Sequence, residues 1–110
     1  MGSQVIHASD VEAHNGIFKP LTAQLGVAGF KLNQLELSAN QEGPEHDHAA
    51  NGQEEVYAVV AGSGVLRIDG EDVPLQTGHF VYCPADARRQ MVAGSDGLTW
   101  IGIGSAVDAG

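Results

Sequence analysis

The residues best equipped for chemistry in this 110-residue chain lie between Gly43 and Gly64, in the stretch GPEHDHAANGQEEVYAVVAGSG. An extended backbone puts alternate side chains on one face, so His46 and His48 can direct both imidazoles at a single point. Glu54 and Glu55 follow at the head of a run rich in Val and Tyr, which reads as a strand able to bring a carboxylate to the same point. Two imidazoles and a carboxylate hold a divalent metal ion and leave coordination positions open, the arrangement of a reactive rather than a purely structural centre. The plainer alternative is a solvated loop whose histidines bind nothing.

The segments that must position these side chains read as short strands joined by tight turns. Fifteen glycines punctuate the chain, several where a hairpin needs one. Phe30-Lys31-Leu32 and Leu35-Glu36-Leu37 alternate apolar and polar positions, and Asn33-Gln34 between them shifts the phase as a β-bulge would. Glu55 to Ala61 reads as a buried strand. Val65 to Ile68 leads into Asp69-Gly70, a hairpin signal, and Glu71 to Leu75 returns. Phe80 to Tyr82, Arg89 to Ala93 and Leu98 to Ile103 complete the set, the last two joined by Gly94-Ser95-Asp96-Gly97. Before residue 30 the pattern weakens: Val5-Ile6 and Leu21 to Val27 are candidate strands, and Ser9-Asp10-Val11-Glu12 a candidate helical turn. Many short strands at regular spacing predict an all-β barrel or sandwich, and the length fits one domain, 1–110.

The spacing within the first stretch resembles the first conserved motif of the cupin superfamily: a glycine, an His-x-His pair, a glutamate, six residues and a glycine. Counting back from Gly62 selects Glu55, and the resemblance implies metal-ligand roles for His46, His48 and Glu55. Alternation supports Glu55 over Glu54, because Glu55 shares its face with Tyr57 and Val59, while Glu54 falls with Val56 and Ala58. One departure is the gap of six residues, Ala49 to Glu54, where the family usually has three or four. Asn51-Gly52 in that gap is a turn-forming pair, so the extra residues need not disturb the flanking strands. A second motif follows from Gly70 to Arg89, with Pro74-Leu75-Gln76-Thr77-Gly78-His79, Phe80-Val81-Tyr82 and the Pro84 turn. There Arg89 stands at the position of the family's fourth ligand. A guanidinium has no lone pair for a metal, so the site has three protein ligands or holds no ion. His79, where the family's turn usually has Asp, lies at a different height from Arg89 and is a poor replacement. The resemblance implies a jelly-roll β-barrel and, at its centre, a divalent Fe, Mn, Zn or Ni ion.

An arginine aimed into a barrel demands a partner, either a carboxylate such as Glu55 or an anionic ligand. Pairing with Glu55 would disable the metal site; orienting a substrate carboxylate would assist it. Tyr57, Val59, Met91 and Trp100 are candidates for the barrel lining, and Arg88 for the solvent face. Cys83 is the one cysteine and lacks a neighbouring base in any motif, so it reads as a buried bystander. A net charge of −9 opposes nucleic acid and anionic membranes as partners, and no apolar run is long enough to span a bilayer. The N-terminus lacks the features of a signal peptide, which predicts a cytoplasmic protein. Unpaired strand edges and outer apolar faces predict a homodimer. Two functional classes fit: a metal-dependent enzyme of dioxygenase, isomerase or cyclase type acting on a small organic molecule, and a binding module with the same pocket and no turnover.

Overall fold

The extended runs assemble into one antiparallel six-stranded sheet in a computed structural model that describes residues 2–106. The strands are β1 (Phe18–Pro20), β2 (Lys31–Leu37), β3 (Gln53–Ile68), β4 (Glu71–Gln76), β5 (Phe80–Cys83) and β6 (Arg89–Ala106). Their order is β1-β2-β6-β3-β4, with β5 also paired to β3.

The long strands β3 and β6 each read in sequence as two strands, because both bend where glycines interrupt the pattern. Their mutual register shifts between Val59 and Ala61 and between Gly62 and Gly64. Gly62 has φ +77°, and a Cβ there would lie 2.1 Å from the Gly97 carbonyl oxygen. One on Gly64 would lie 2.2 Å from that of Val92. Such an approach excludes any side chain, which gives the closing glycine of the first motif a physical reason. Beyond the bend, the first half of β6 gains a second neighbour: bridges Glu42↔Val92 and His46↔Arg89 lay 42–46 along its other edge and curl the sheet toward a barrel. Asp69 and Gly70 both have positive φ, 52° and 77°, as the expected two-residue hairpin requires.

Residues opposite one another across antiparallel strands share a face, so the register defines transverse inward rows. Lys31, Gly104, Glu55 and Cys83 form one; Asn33, Gly102, Tyr57 and Val81 the next; Leu35, Trp100 and Val59 the third. Tyr57, Val59, Leu66, Met91, Leu98 and Trp100 are buried together in the core, with the Tyr57 and Trp100 rings edge-on at 6.3 Å.

Several expectations need correction. β2 is continuous from Lys31 to Leu37, with unbroken pairing to β6, and holds no bulge at Asn33-Gln34. The phase shift arises because Lys31 and Asn33 occupy inward positions. Val5-Ile6 is not a strand, and Leu21 to Val27 contains a helical turn, Thr22–Leu25, closed by left-handed Gly26. The Thr22 hydroxyl bonds both the amide and the carbonyl of Leu32, fastening that turn to β2. The turn expected at Ser9 to Glu12 is a 3₁₀ turn at Ala8–Asp10, with His7 as its side-chain cap.

Candidate metal centre and cavity

Backbone pairing places His46 directly opposite Arg89, with its amide donating to the Arg89 carbonyl at 3.0 Å and the Arg89 amide donating back at 2.9 Å. The His48 amide donates to Ala85 at 2.8 Å, so both histidine backbones are held against the start of β6 or the loop before it. The long gap after His48 folds onto itself: the amides of Asn51 and Gly52 both donate to the His48 carbonyl. Gly52 takes φ +68°, and the two extra residues are absorbed in this turn. Glu55 then enters from β3 on the inward face, as alternation predicts. Glu54 faces outward and accepts from the Tyr82 hydroxyl at 2.8 Å, which removes it as a rival ligand.

The ligating atoms of His46, His48 and Glu55 all lie within 4.8 Å of one another. The Glu55 Oε1 atom is 3.2 Å from His48 Nε2 and 3.7 Å from His46 Nε2. The same oxygen accepts from the Tyr57 hydroxyl at 2.8 Å and from Arg89 Nη2 at 2.5 Å. Arg89 is 1% exposed, and its other donors are also engaged: Nε with the Tyr57 hydroxyl at 3.2 Å, Nη1 with the carbonyls of Pro84 and Ala87 at 3.1 and 2.8 Å. Burial by itself would raise the Glu55 carboxyl, but hydrogen bonds from His46, Arg89 and Tyr57, with the charge of His48, overcome it and hold the group at about 2. Tyr57 moves the other way: burial and the Glu55 charge hold its phenol protonated. Cys83 is fully buried, and burial pushes its thiol up to about 11, as suits an unreactive core residue.

These side chains form the polar end of a cavity of about 320 Å³. Phe18, Leu35, Met91 and Trp100 supply apolar wall, and Lys31, Asn33 and Gln53 also line it. Gly102 on β6 makes the room: a Cβ there would project between Leu35 and the Tyr57 ring, 3.7 Å from each.

A family description, Cupin domain, matches residues 33–102 of this sequence. The chain belongs to the cupin superfamily. Solved structures agree in fold. A cupin protein from Bacteroides fragilis superposes with a TM-score of 0.80 at 25% identity, over 99% of this chain and 88% of its own. A protein described as a predicted oxalate decarboxylase, from Thermotoga maritima, gives 0.78 at 17%, over 94% and 100%. A sugar phosphate isomerase of the cupin superfamily from Silicibacter pomeroyi gives 0.69 at 20%, over 84% of this chain and 61% of its own. No curated protein matches the sequence significantly.

Within this cupin the residues expected at the site are largely brought together. His46, His48 and Glu55 converge, and Arg89, Tyr57, Met91 and Trp100 all line the same cavity. Val59 is core and lies outside that lining. His79 sits exposed in its turn and accepts from the Gln76 amide, away from the triad. Arg88 points outward and is bound by Glu45 and Asp47. Lys31, Asn33 and Gln53 were not anticipated; for Lys31 and Asn33 the signal was present as the broken alternation of β2, while Gln53 shares the inward face of β3 with Glu55.

The donor set fits a divalent ion. Two imidazole nitrogens and a carboxylate suit Fe, Mn, Zn or Ni. Arg89 and Tyr57 both bind Oε1, and among the described residues no protein donor contacts Oε2, so that oxygen can turn to a cation. The guanidinium would oppose such an ion by its charge while orienting the carboxylate that would hold it. Among the described residues no helix is long and apolar enough to cross a membrane.

Proposed function

We propose that this cupin holds one divalent metal ion at His46, His48 and Glu55 and binds a small organic molecule beside it in the barrel. The observation that carries the reading is the convergence of three ligating side chains at one end of a cavity with extensive apolar walls. A bound ion would supply Lewis acidity toward an oxygen of the ligand. The protein's own residues supply the rest. Arg89 and Tyr57 fix the Glu55 carboxylate, His46 and His48 face it, and the walls at Leu35, Met91 and Trp100 exclude water from the ligand's apolar part.

A second reading, a metal-free binding pocket, is favoured by one observation: Arg89 already neutralises Glu55 at 2.5 Å. Acetohydroxamate, a small bidentate oxygen ligand, separates the two. Calorimetry on manganese-loaded protein is expected to show its binding, lost after treatment with EDTA. Binding that survives chelation favours the metal-free pocket.

The same proposal includes a homodimer. Phe80, Tyr82, Val60 and Ile103 are 75%, 57%, 48% and 40% exposed on the outer face of β3, β5 and β6, where the register sets Val56 against both Tyr82 and Ile103. A contiguous apolar face of this kind is one that a second copy covers. Sedimentation equilibrium at micromolar concentration is expected to give twice the chain mass, and Phe80→Glu to give a monomer. A wild-type monomer under those conditions removes the dimer.

A further inference from the structure

We infer that Lys31 is the residue through which the cavity selects an anionic ligand, taking the carboxylate of a molecule whose apolar body lies against Phe18, Leu35 and Trp100. The inference rests on the cavity being a ligand site, as proposed above, and not on the metal.

The chain has five Lys and Arg residues, and four of them are paired. Lys19 meets Glu36 at 3.1 Å, Arg67 meets Glu42 and Asp72 at 3.7 and 3.6 Å, Arg88 is held by Glu45 and Asp47, and Arg89 by Glu55. Lys31 has no carboxylate partner among the described residues, and it is the one of the five besides Arg89 that lines the cavity. In a protein of net charge −9, an unpaired cation beside a cavity is the local exception to a field that repels anions.

Its placement follows from the register. Lys31 on β2 and Glu55 on β3 both pair with Gly104 of β6, so their backbones lie two strand spacings apart, about 10 Å, in one inward row. Gly104 puts no side chain between them. The Gln53 amide fills that slot, its nitrogen 2.5 Å from where a Cβ of Gly104 would stand. Asn33 is the next inward residue of β2, opposite Gly102. Neither the Asn33 nor the Gln53 side-chain amide has a hydrogen-bond partner among the described residues. Lys31, exposed at the start of β2, and two amides without protein partners thus line the cavity from inward-facing strand positions that a purely structural barrel would fill with apolar side chains. Arg89 cannot serve the same purpose as readily, since its Nε, Nη1 and Nη2 are all engaged by the protein. The set suits a carboxylate: a point charge from Lys31, with N–H donors from the amides to fix its orientation.

The probes are 2-naphthoate and its neutral counterpart 2-naphthamide, titrated by calorimetry into the full chain with EDTA present, so that no metal competes for the carboxylate. Wild type is expected to bind the acid about fivefold more tightly than the amide, the upper end for one solvated charge pair. Lys31→Met should lower the affinity for the acid to that for the amide and leave the amide unchanged, while Lys31→Arg keeps the preference. Arg67→Met, which makes the same charge change outside the cavity, should alter neither. A preference that persists in Lys31→Met, or equal binding of both probes by wild type, overturns the role of Lys31 while leaving the cavity as a ligand site. Binding of neither probe overturns the ligand-site reading, and the inference with it.

Discussion

Replacing Arg89 with methionine is expected to lower the stability of the metal-free protein by about 3–5 kcal/mol, the range found when one partner of a buried ion pair is removed. For a domain of this size that is a fall in Tm of roughly 15–25 °C. The size of the effect comes from what remains behind. Glu55 is 8% exposed, and without Arg89 its charge keeps only Tyr57 and the two imidazoles as partners. The carbonyls of Pro84 and Ala87 lose their donor as well. Adding Glu55→Gln to Arg89→Met should recover part of the loss, since the unpaired charge is then gone. The same coupling predicts an acid response. The folded-state value of Glu55, about 2, lies below its unfolded value near 4.5, so its contribution is complete above pH 4.5 and is lost as pH falls toward 2. In urea titrations with EDTA present, wild type should therefore lose stability across that window more steeply than Glu55→Gln. Identical slopes would mean that Glu55 is not held ionised by its neighbours.

Arg89→His should tighten binding of a divalent ion by roughly ten- to a hundredfold, because a neutral nitrogen replaces an opposing charge at the fourth-ligand position. The backbone of residue 89 already lies opposite His46, so an imidazole there starts from the correct side of the triad. Without metal the variant should be less stable than wild type, having lost the arginine's bonds to Pro84 and Ala87. Added zinc should then raise its Tm more than that of wild type, by linkage. An unchanged metal affinity would mean that position 89 does not address the ion.

Much of this site was legible because strand geometry is strict. Alternation put Glu55 with Tyr57 on the inward face and Glu54 on the outward one, and both stand there. Motif spacing placed Arg89 at the triad, although spacing alone could not choose between an anionic ligand and Glu55 as its partner. That choice depended on where the guanidinium finds acceptors in three dimensions, and the Pro84 turn supplies two of them. Lys31 reads in sequence as the polar position between Phe30 and Leu32, and Asn33-Gln34 as a bulge, whereas Lys31 and Asn33 both take inward positions. Polar residues at inward positions of a strand imitate a change of phase, and only the pairing of β2 with β6 shows that the phase is unbroken. Leu21 to Val27 misled for the opposite reason. Its apolar residues fit a strand, but Gly26 in the left-handed region and the bonds from Thr22 to β2 favour a helical turn. The segment before residue 30 carries little periodicity, and its elements are short: Ala8–Asp10, Phe18–Pro20 and Thr22–Leu25.

The most direct test of the metal centre is titration of chelator-treated wild type with manganese and with zinc, alongside His46→Ala/His48→Ala. The ligands sit on a barrel with its own apolar core, so the variant should keep the wild-type circular dichroism spectrum. Wild type is predicted to bind one ion per chain and the double variant none. No saturable binding by wild type, or one ion per chain retained by the double variant, would contradict the assignment of His46, His48 and Glu55 as a metal centre.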